Sequence, residues 1–205
     1  MNDLNKEQVM TVIRAAMTGD ETAFKTAFCG LSSVQFQVTI GGLRDVTLLH
    51  LAAAGGSGEI VQTLLSAGAE IDACDANGST PLHTAATTGK YEAVKSLLDA
   101  GADPEVRESQ QGLKPIHFAA MMGHDAVVSA LLEANADKNA LDGDGSSALM
   151  YAADGGHTAV VGRLLDSGAD AKLRLHGTTA LDAAIARGHS ETAALLRARC
   201  SQSPQ

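Results

Sequence analysis

Seven histidines, two closely spaced aspartates and three cysteines are the side chains suited to catalysis or metal binding. The histidines fall into a pattern. His50, His83 and His117 each close a four-residue block, TLLH, TPLH and KPIH, while His124, His157 and His189 each follow a glycine. Side chains that recur at one register serve an architecture more readily than a single reactive centre, and His176, outside both sets, makes no metal site alone. Within LDGDGSS, Asp142 and Asp144 have the opening spacing of a calcium loop, but the acidic twelfth position of such a loop falls on Ala153. Glycine-rich segments such as AAAGGSG lack the preceding strand and the Lys of a phosphate loop. Cys29, Cys74 and Cys200 are odd in number and lack CxxC spacing, which suggests neither a disulfide framework nor zinc. No Ser/His/Asp or Cys/His set is placed to activate a nucleophile. The expectation is a protein with no catalytic residue, no cofactor and no metal.

The elements that carry these residues explain their spacing. In GSTPLHTAATTG, Gly78 to Gly89, Thr80 is a helix N-cap and Pro81 takes the first helical position, where a missing N–H costs nothing. Leu82, Ala85 and Ala86 form a narrow apolar face, and Gly89 ends the helix. Val94, Leu97 and Leu98 then define a second short helix, closed by Gly101 and Ala102. This helix–turn–helix is too small to bury its own apolar face. The same block starts again at Thr47, Lys114, Ser147 and Thr179, so the five starts are spaced by 33, 34, 33 and 32 residues.

A period near 33 with a TPLHxAA core resembles the ankyrin repeat. The resemblance covers five units, from Thr47 to about Arg199. It implies an all-α solenoid of stacked helix–turn–helix units with protruding turn or β-hairpin fingers. One domain over 1–205 is expected: a degenerate N-terminal cap and finger at 4–46, body repeats at 47–79, 80–113, 114–146 and 147–178, a C-terminal capping repeat at 179–200, and a disordered tail at 201–205. It also implies that the histidine of each TPLH slot makes a structural hydrogen bond to neighbouring backbone. Asn139 sits where some ankyrin proteins carry a hydroxylatable Asn; as a residue of a turn, it would stabilise the next finger.

Bulk properties agree with a stack of this kind. Aromatic residues make up only 3% of the chain, with no Trp, so its helices must approach closely rather than enclose large side chains. The net charge of −9 is uneven: −1 over residues 1–46, −6 over 47–106, −5 over 107–170 and +3 over 171–205. A largely acidic body argues against nucleic-acid binding, which needs clustered Lys and Arg, and favours a basic or mixed-charge protein partner. The polar start MNDLNKEQVM has no apolar core of a signal peptide. No run approaches the roughly 20 apolar residues of a membrane helix. A cytoplasmic monomer is expected, with nuclear entry by diffusion.

Residues 33–42, SVQFQVTIGG, differ from the rest: Val34, Phe36, Val38 and Ile40 alternate with polar residues, the period of a half-buried strand. This is read as a long first finger, with an edge strand open to pairing as the alternative. Later fingers carry Asp-x-x-Gly turns at Asp75 and Asp142, RESQQGL has one residue more, and the last finger has one fewer.

The resemblance places residues one, four and five after the TPLH histidine on a concave face. These are Leu51, Ala54 and Gly55; Thr84, Thr87 and Thr88; Phe118, Met121 and Met122; Tyr151, Asp154 and Gly155; and Ala183, Ala186 and Arg187. Phe118, Met121, Met122 and Tyr151 would form an apolar patch, rimmed by Asp142, Asp144 and Asp154. Aromatic and Met anchors within a charged rim describe an interface centre. Asn77, Arg107, Glu108, Gln110 and Arg174 on the fingers are further expected contacts. The expected function is a non-catalytic scaffold that binds a partner protein on this face; self-association or small-ligand binding is the alternative.

Overall fold

The structure, a computed structural model, describes the backbone of residues 3–29, 37–40 and 43–202 and the side chains of 7–29 and 44–200. The described residues form twelve helices and one two-stranded hairpin, in two compact units, Met1–Asp103 and Pro104–Gln205.

The first unit opens with α1 (Asp3–Thr18) and α2 (Glu21–Phe28), followed by β1 (Gln37–Ile40) and β2 (Leu43–Thr47). Phe24 is fully buried and stacks on Phe28, with ring centroids 5.0 Å apart. β1 and β2 pair antiparallel, Val38 opposite Val46, so the first finger is a hairpin. Val34 and Phe36 of the alternating run lie outside the described residues. Two helix pairs follow: α3 (Leu48–Gly55) with α4 (Gly58–Ser66), and α5 (Pro81–Thr88) with α6 (Tyr91–Asp99). Helix α3 packs between α1 and α5, and α4 packs on α6.

The second unit contains three more pairs: α7 (Pro115–Met121) with α8 (Asp125–Glu133), α9 (Ala148–Asp154) with α10 (Thr158–Asp166), and α11 (Ala180–Ala186) with α12 (Ser190–Gln202). Helices α7, α9 and α11 form one row, and α8, α10 and α12 the other. Helix α12 continues through Gln202, two residues into the stretch expected to lack structure; residues 203–205 lie outside the described ones.

Small side chains permit the close approach. The pairs Ala52–Ala53, Ala85–Ala86, Ala119–Ala120 and Ala152–Ala153 are wholly buried in their helices. Leu64, Leu97, Leu131 and Leu164 on the second helices are equally buried, each such side chain contributing about 1.5–3 kcal/mol. Between α1 and α3 the backbones nearly touch. A Cβ on Gly55 would lie 2.1 Å from the Ala16 carbonyl oxygen.

The fingers are held by carboxylates sized to their loops. Asp75 Oδ1 accepts from the N–H groups of Asn77 (2.8 Å) and Ser79 (3.0 Å), and Asp142 Oδ1 likewise from Asp144 (2.9 Å) and Ser146 (2.8 Å). The longer finger between them uses Glu108, whose carboxylate accepts from the N–H groups of Gln110, Gln111 and Leu113. One more loop residue is matched by one more methylene. Burial would raise the Glu108 carboxyl, but these backbone donors outweigh it and hold the group below its usual range. The last, shortened finger dispenses with a carboxylate. Leu175 and Thr178 exchange both backbone hydrogen bonds (2.9 and 2.8 Å) across His176 and Gly177, both at positive φ. His176 is therefore a turn residue.

Candidate functional site

The histidines are joints between elements. At His50, His83 and His117, Nδ1 accepts the backbone N–H of the residue three before it, at 3.2, 3.1 and 3.0 Å. Accepting there places the proton on Nε2 in the neutral ring. The Nε2–H of His50 then donates to Ser79 O, and that of His117 to Ala140 O, both at 2.9 Å. Burial pushes both imidazoles below their ordinary value of 6.5, so they stay neutral. The second set joins successive helix pairs: His157 Nε2–H donates to Met121 O (3.0 Å) and His189 Nε2–H to Asp154 O (2.9 Å). A Cβ on Gly123 would lie 2.5 Å from His157 Nδ1, so the glycine at that joint makes room for the ring.

Asn139 is likewise structural: its N–H donates to Asp137 Oδ1 (2.9 Å) and its Oδ1 accepts from Asp170 N–H (2.8 Å). At the same register, Asp72 accepts from Asp103 N–H and Glu105 from Asp137 N–H. Lys114, in place of the N-cap Thr, is buried and forms an ion pair with Glu105. The described residues contain no cluster of His, Cys, Asp or Glu able to hold a metal, and all three cysteines are free and exposed.

The second unit carries most of the expected interface residues on adjacent elements. Met122, just past the end of α7, is 51% exposed, whereas Phe118 and Met121 are half-buried. Tyr151 on α9 is half-buried and lies edge-on to His117, ring centroids 6.1 Å apart. Its hydroxyl donates to Asp142 Oδ2 at 2.6 Å. Burial and this bond push the phenol up to about 12.

The expected rim needs revision. Asp142 is not a rim charge: it is 7% exposed, committed to its own turn and to Tyr151. Burial alone would raise its carboxyl, but the donors from Tyr151, Ser146 and Asp144 hold it below 3.8. Glu108 is 6% exposed and spent in the same way, and Leu51 is buried. Asp144 is exposed. Asp154 pairs with Arg187, Oδ1 to Nε 2.7 Å. Arg107 Nη1 donates to Gly112 O and Leu141 O, both at 2.9 Å, and so fastens one finger to the next. Arg174 donates to Gly177 O (2.7 Å). Asn77 belongs to the first unit, where its N–H closes the Asp75 turn.

Two features were not legible beforehand. Leu141, beside Asp142 on the finger, is 38% exposed; only its place just before the turn aspartate hints at this. A cavity of about 400 Å3 also lies beside Tyr151, lined by Met150, Asp154, Leu175, Ala183 and others. A second hollow, between α8 and α10, is walled by Arg163, Glu133 and Lys138. Its Arg163 is already bound in bidentate fashion to Asp125, at 2.6 and 2.7 Å.

Helix pairs joined by histidine bonds, with fingers on carboxylate hinges, define a stacked repeat scaffold. Comparison with family models matches ankyrin repeats in three overlapping copies, over residues 12–108, 49–142 and 116–204. The chain belongs to the ankyrin-repeat family. Ankyrin repeats are in general protein–protein interaction modules and typically non-catalytic. Comparison with curated proteins finds no match. No helix among the described residues is long and apolar enough to cross a membrane.

Proposed function

We propose that this protein is a non-catalytic interaction module whose second unit binds a partner protein on the concave face, through the α7–α9 surface. The observation that carries the reading is Met122, a large apolar side chain 51% exposed, at the end of the helix that packs against the one bearing the half-exposed Tyr151. Met adapts its shape to a partner, and a Tyr ring fixed by its hydroxyl offers rigid area at little entropic cost. Leu141 extends the apolar centre, and Asp144 with the Asp154–Arg187 pair supplies a polar edge. An acidic segment around it favours a basic or mixed-charge partner over nucleic acid. The working state is a monomer, which light scattering at tens of micromolar tests, in the cytoplasm, which imaging of the tagged chain in its native cell tests.

The test is a paired capture from native cell extract read by mass spectrometry. One bait is the wild type and the other carries Met122→Glu and Leu141→Ser, both exposed sites, with unchanged helical circular dichroism and melting. Partners lost from the variant alone support the reading. Equal retention on both baits removes it.

A further inference from the structure

Two departures from the repeat pattern and one small side chain coincide at the cavity beside Tyr151. Met150 stands where His50 and His117 carry the N–H that draws in the following finger, and a thioether has no such donor. That following finger is a residue short and closes on itself through Leu175 and Thr178. On α11, Ala183 occupies the register that holds Phe118 on α7 and Tyr151 on α9, so the side chain there is too small to fill the space beside Tyr151. The result is a hollow of about 400 Å3 between α9, α11 and the last finger, near the lower end of the roughly 300–1,000 Å3 typical of specific ligand sites.

We propose, on the basis of the function above, that this hollow is the specificity pocket of the interface, and that it takes one aromatic or branched aliphatic side chain of an extended peptide segment with a Lys or Arg beside it. The occupant fills in trans the space that Ala183 leaves open. One wall is the Tyr151 ring, pre-organised by its bond to Asp142 and its edge contact with His117. Met150, Leu175, Ala183 and Ala186 give an adaptable apolar lining, with the exposed Thr178 among the lining residues. The charge requirement follows from the balance of groups. The Asp154 carboxylate is matched by Arg187, whereas Asp144 is exposed and makes no ion pair among the described residues. The field of Asp144 reaches Tyr151, where it helps to raise the phenol. Arg107 and Arg174 on the neighbouring fingers are engaged by backbone carbonyls, and the charged group in contact with Tyr151 is the Asp142 carboxylate, so the charge at the Tyr151 wall is negative.

The experiment is 1H–15N NMR of the full chain titrated with three capped dipeptides: N-acetyl-Phe-Lys-amide, N-acetyl-Ala-Lys-amide and N-acetyl-Phe-Glu-amide. The Phe-Lys dipeptide is expected to shift the amides of Tyr151, Thr179 and Ala183 saturably. Replacing Phe by Ala in the dipeptide should weaken binding about tenfold, as burial of a ring requires. Replacing Lys by Glu should weaken it about threefold, a difference that Asp144→Asn removes. Filling the pocket by Ala183→Phe, or at its more exposed edge by Ala186→Leu, should abolish the shifts while melting is retained. No saturable shift, equal binding of the Ala dipeptide, or binding unaffected by both filled variants overturns the proposal. The function itself is judged separately: a partner lost with Met122→Glu but kept by Ala183→Phe leaves the interface standing and removes the pocket.

Discussion

Replacing Tyr151 by Phe deletes one oxygen atom and leaves the ring in place. The lost bond is short, 2.6 Å, and its acceptor is the carboxylate of Asp142, which is 7% exposed. A hydrogen bond to a charged group contributes about 1.5–3 kcal/mol, but Tyr151 is half-exposed and water can replace part of it, so a cost of about 1–2 kcal/mol is expected. Urea unfolding followed by circular dichroism reads this directly. The cycle with Asp142→Asn isolates the charge. In the Asn background an amide replaces the carboxylate, and removing the hydroxyl should cost less than about 0.5 kcal/mol. The pH dependence carries the same signature. The phenol is raised from 10.0 to about 12 in the folded chain, so its contribution is complete below pH 10 and is lost as pH rises toward 12. The gap between wild type and Tyr151→Phe should therefore narrow above pH 10. The Asp142 carboxyl is depressed below 3.8, so its contribution is present above that value and is lost as pH falls through the folded one. A Tyr151→Phe penalty below about 0.3 kcal/mol, or one unchanged in the Asn background, would refute a structural role for the pair.

Three further outcomes are expected. His50 and His117 have folded values below 6.5, so each unit should lose up to about 1.4 kcal/mol per pH unit as pH falls below 6.5, because the unfolded chain takes up the proton first; urea midpoints at pH 7.5 and 5.5 that coincide would contradict the burial of these rings in the neutral form. Glu108→Asp withdraws the carboxylate by one methylene from three backbone N–H groups and should cost about 1–3 kcal/mol, with faster amide exchange at Gln110, Gln111 and Leu113. Gly55→Ala brings a methyl to 2.1 Å from the Ala16 carbonyl and should destabilise the first unit by about 1–3 kcal/mol or more, seen as lost exchange protection in α1.

The helix pairs were legible because they rest on local chemistry repeated at one period: helix caps, an alanine pair, helix-ending glycines and, at Pro81 and Pro115, a proline at the first turn. The histidines could likewise be assigned to architecture from their register. The acidic rim was not legible in the same way. Asp142 and Asp144 are two residues apart in LDGDGSS, yet one is the buried hinge of the turn and the other lies exposed beside it. Composition cannot separate them. The position of each relative to the turn can, since the first residue of Asp-x-x-Gly points back to the N–H groups that follow it. Glu108 hid for a related reason: as a long acidic residue on a finger it looks like a contact, and only the extra loop residue reveals why it is long. The cavity could not be foreseen from any one residue, because it arises where α9, α11 and a shortened finger meet.

A repeat protein makes its fold from what its units share, so its specificity must come from what they do not share. The two fingers of altered length show the difference between a compensated change and one left open. At Arg107–Leu113 the extra residue is absorbed by Glu108, and Arg107 ties the loop to its neighbour; the departure is closed and leaves only structure. At Leu175–Thr178 the missing residue is not restored elsewhere. The tight turn satisfies its own backbone, while Met150 supplies no bond across the gap and Ala183 is too small to fill it. Space therefore remains beside the one tyrosine whose hydroxyl and ring are both held in place. In a family built by stacking near-identical pairs, an open departure next to a rigid aromatic wall is where discrimination between partners is expected to arise.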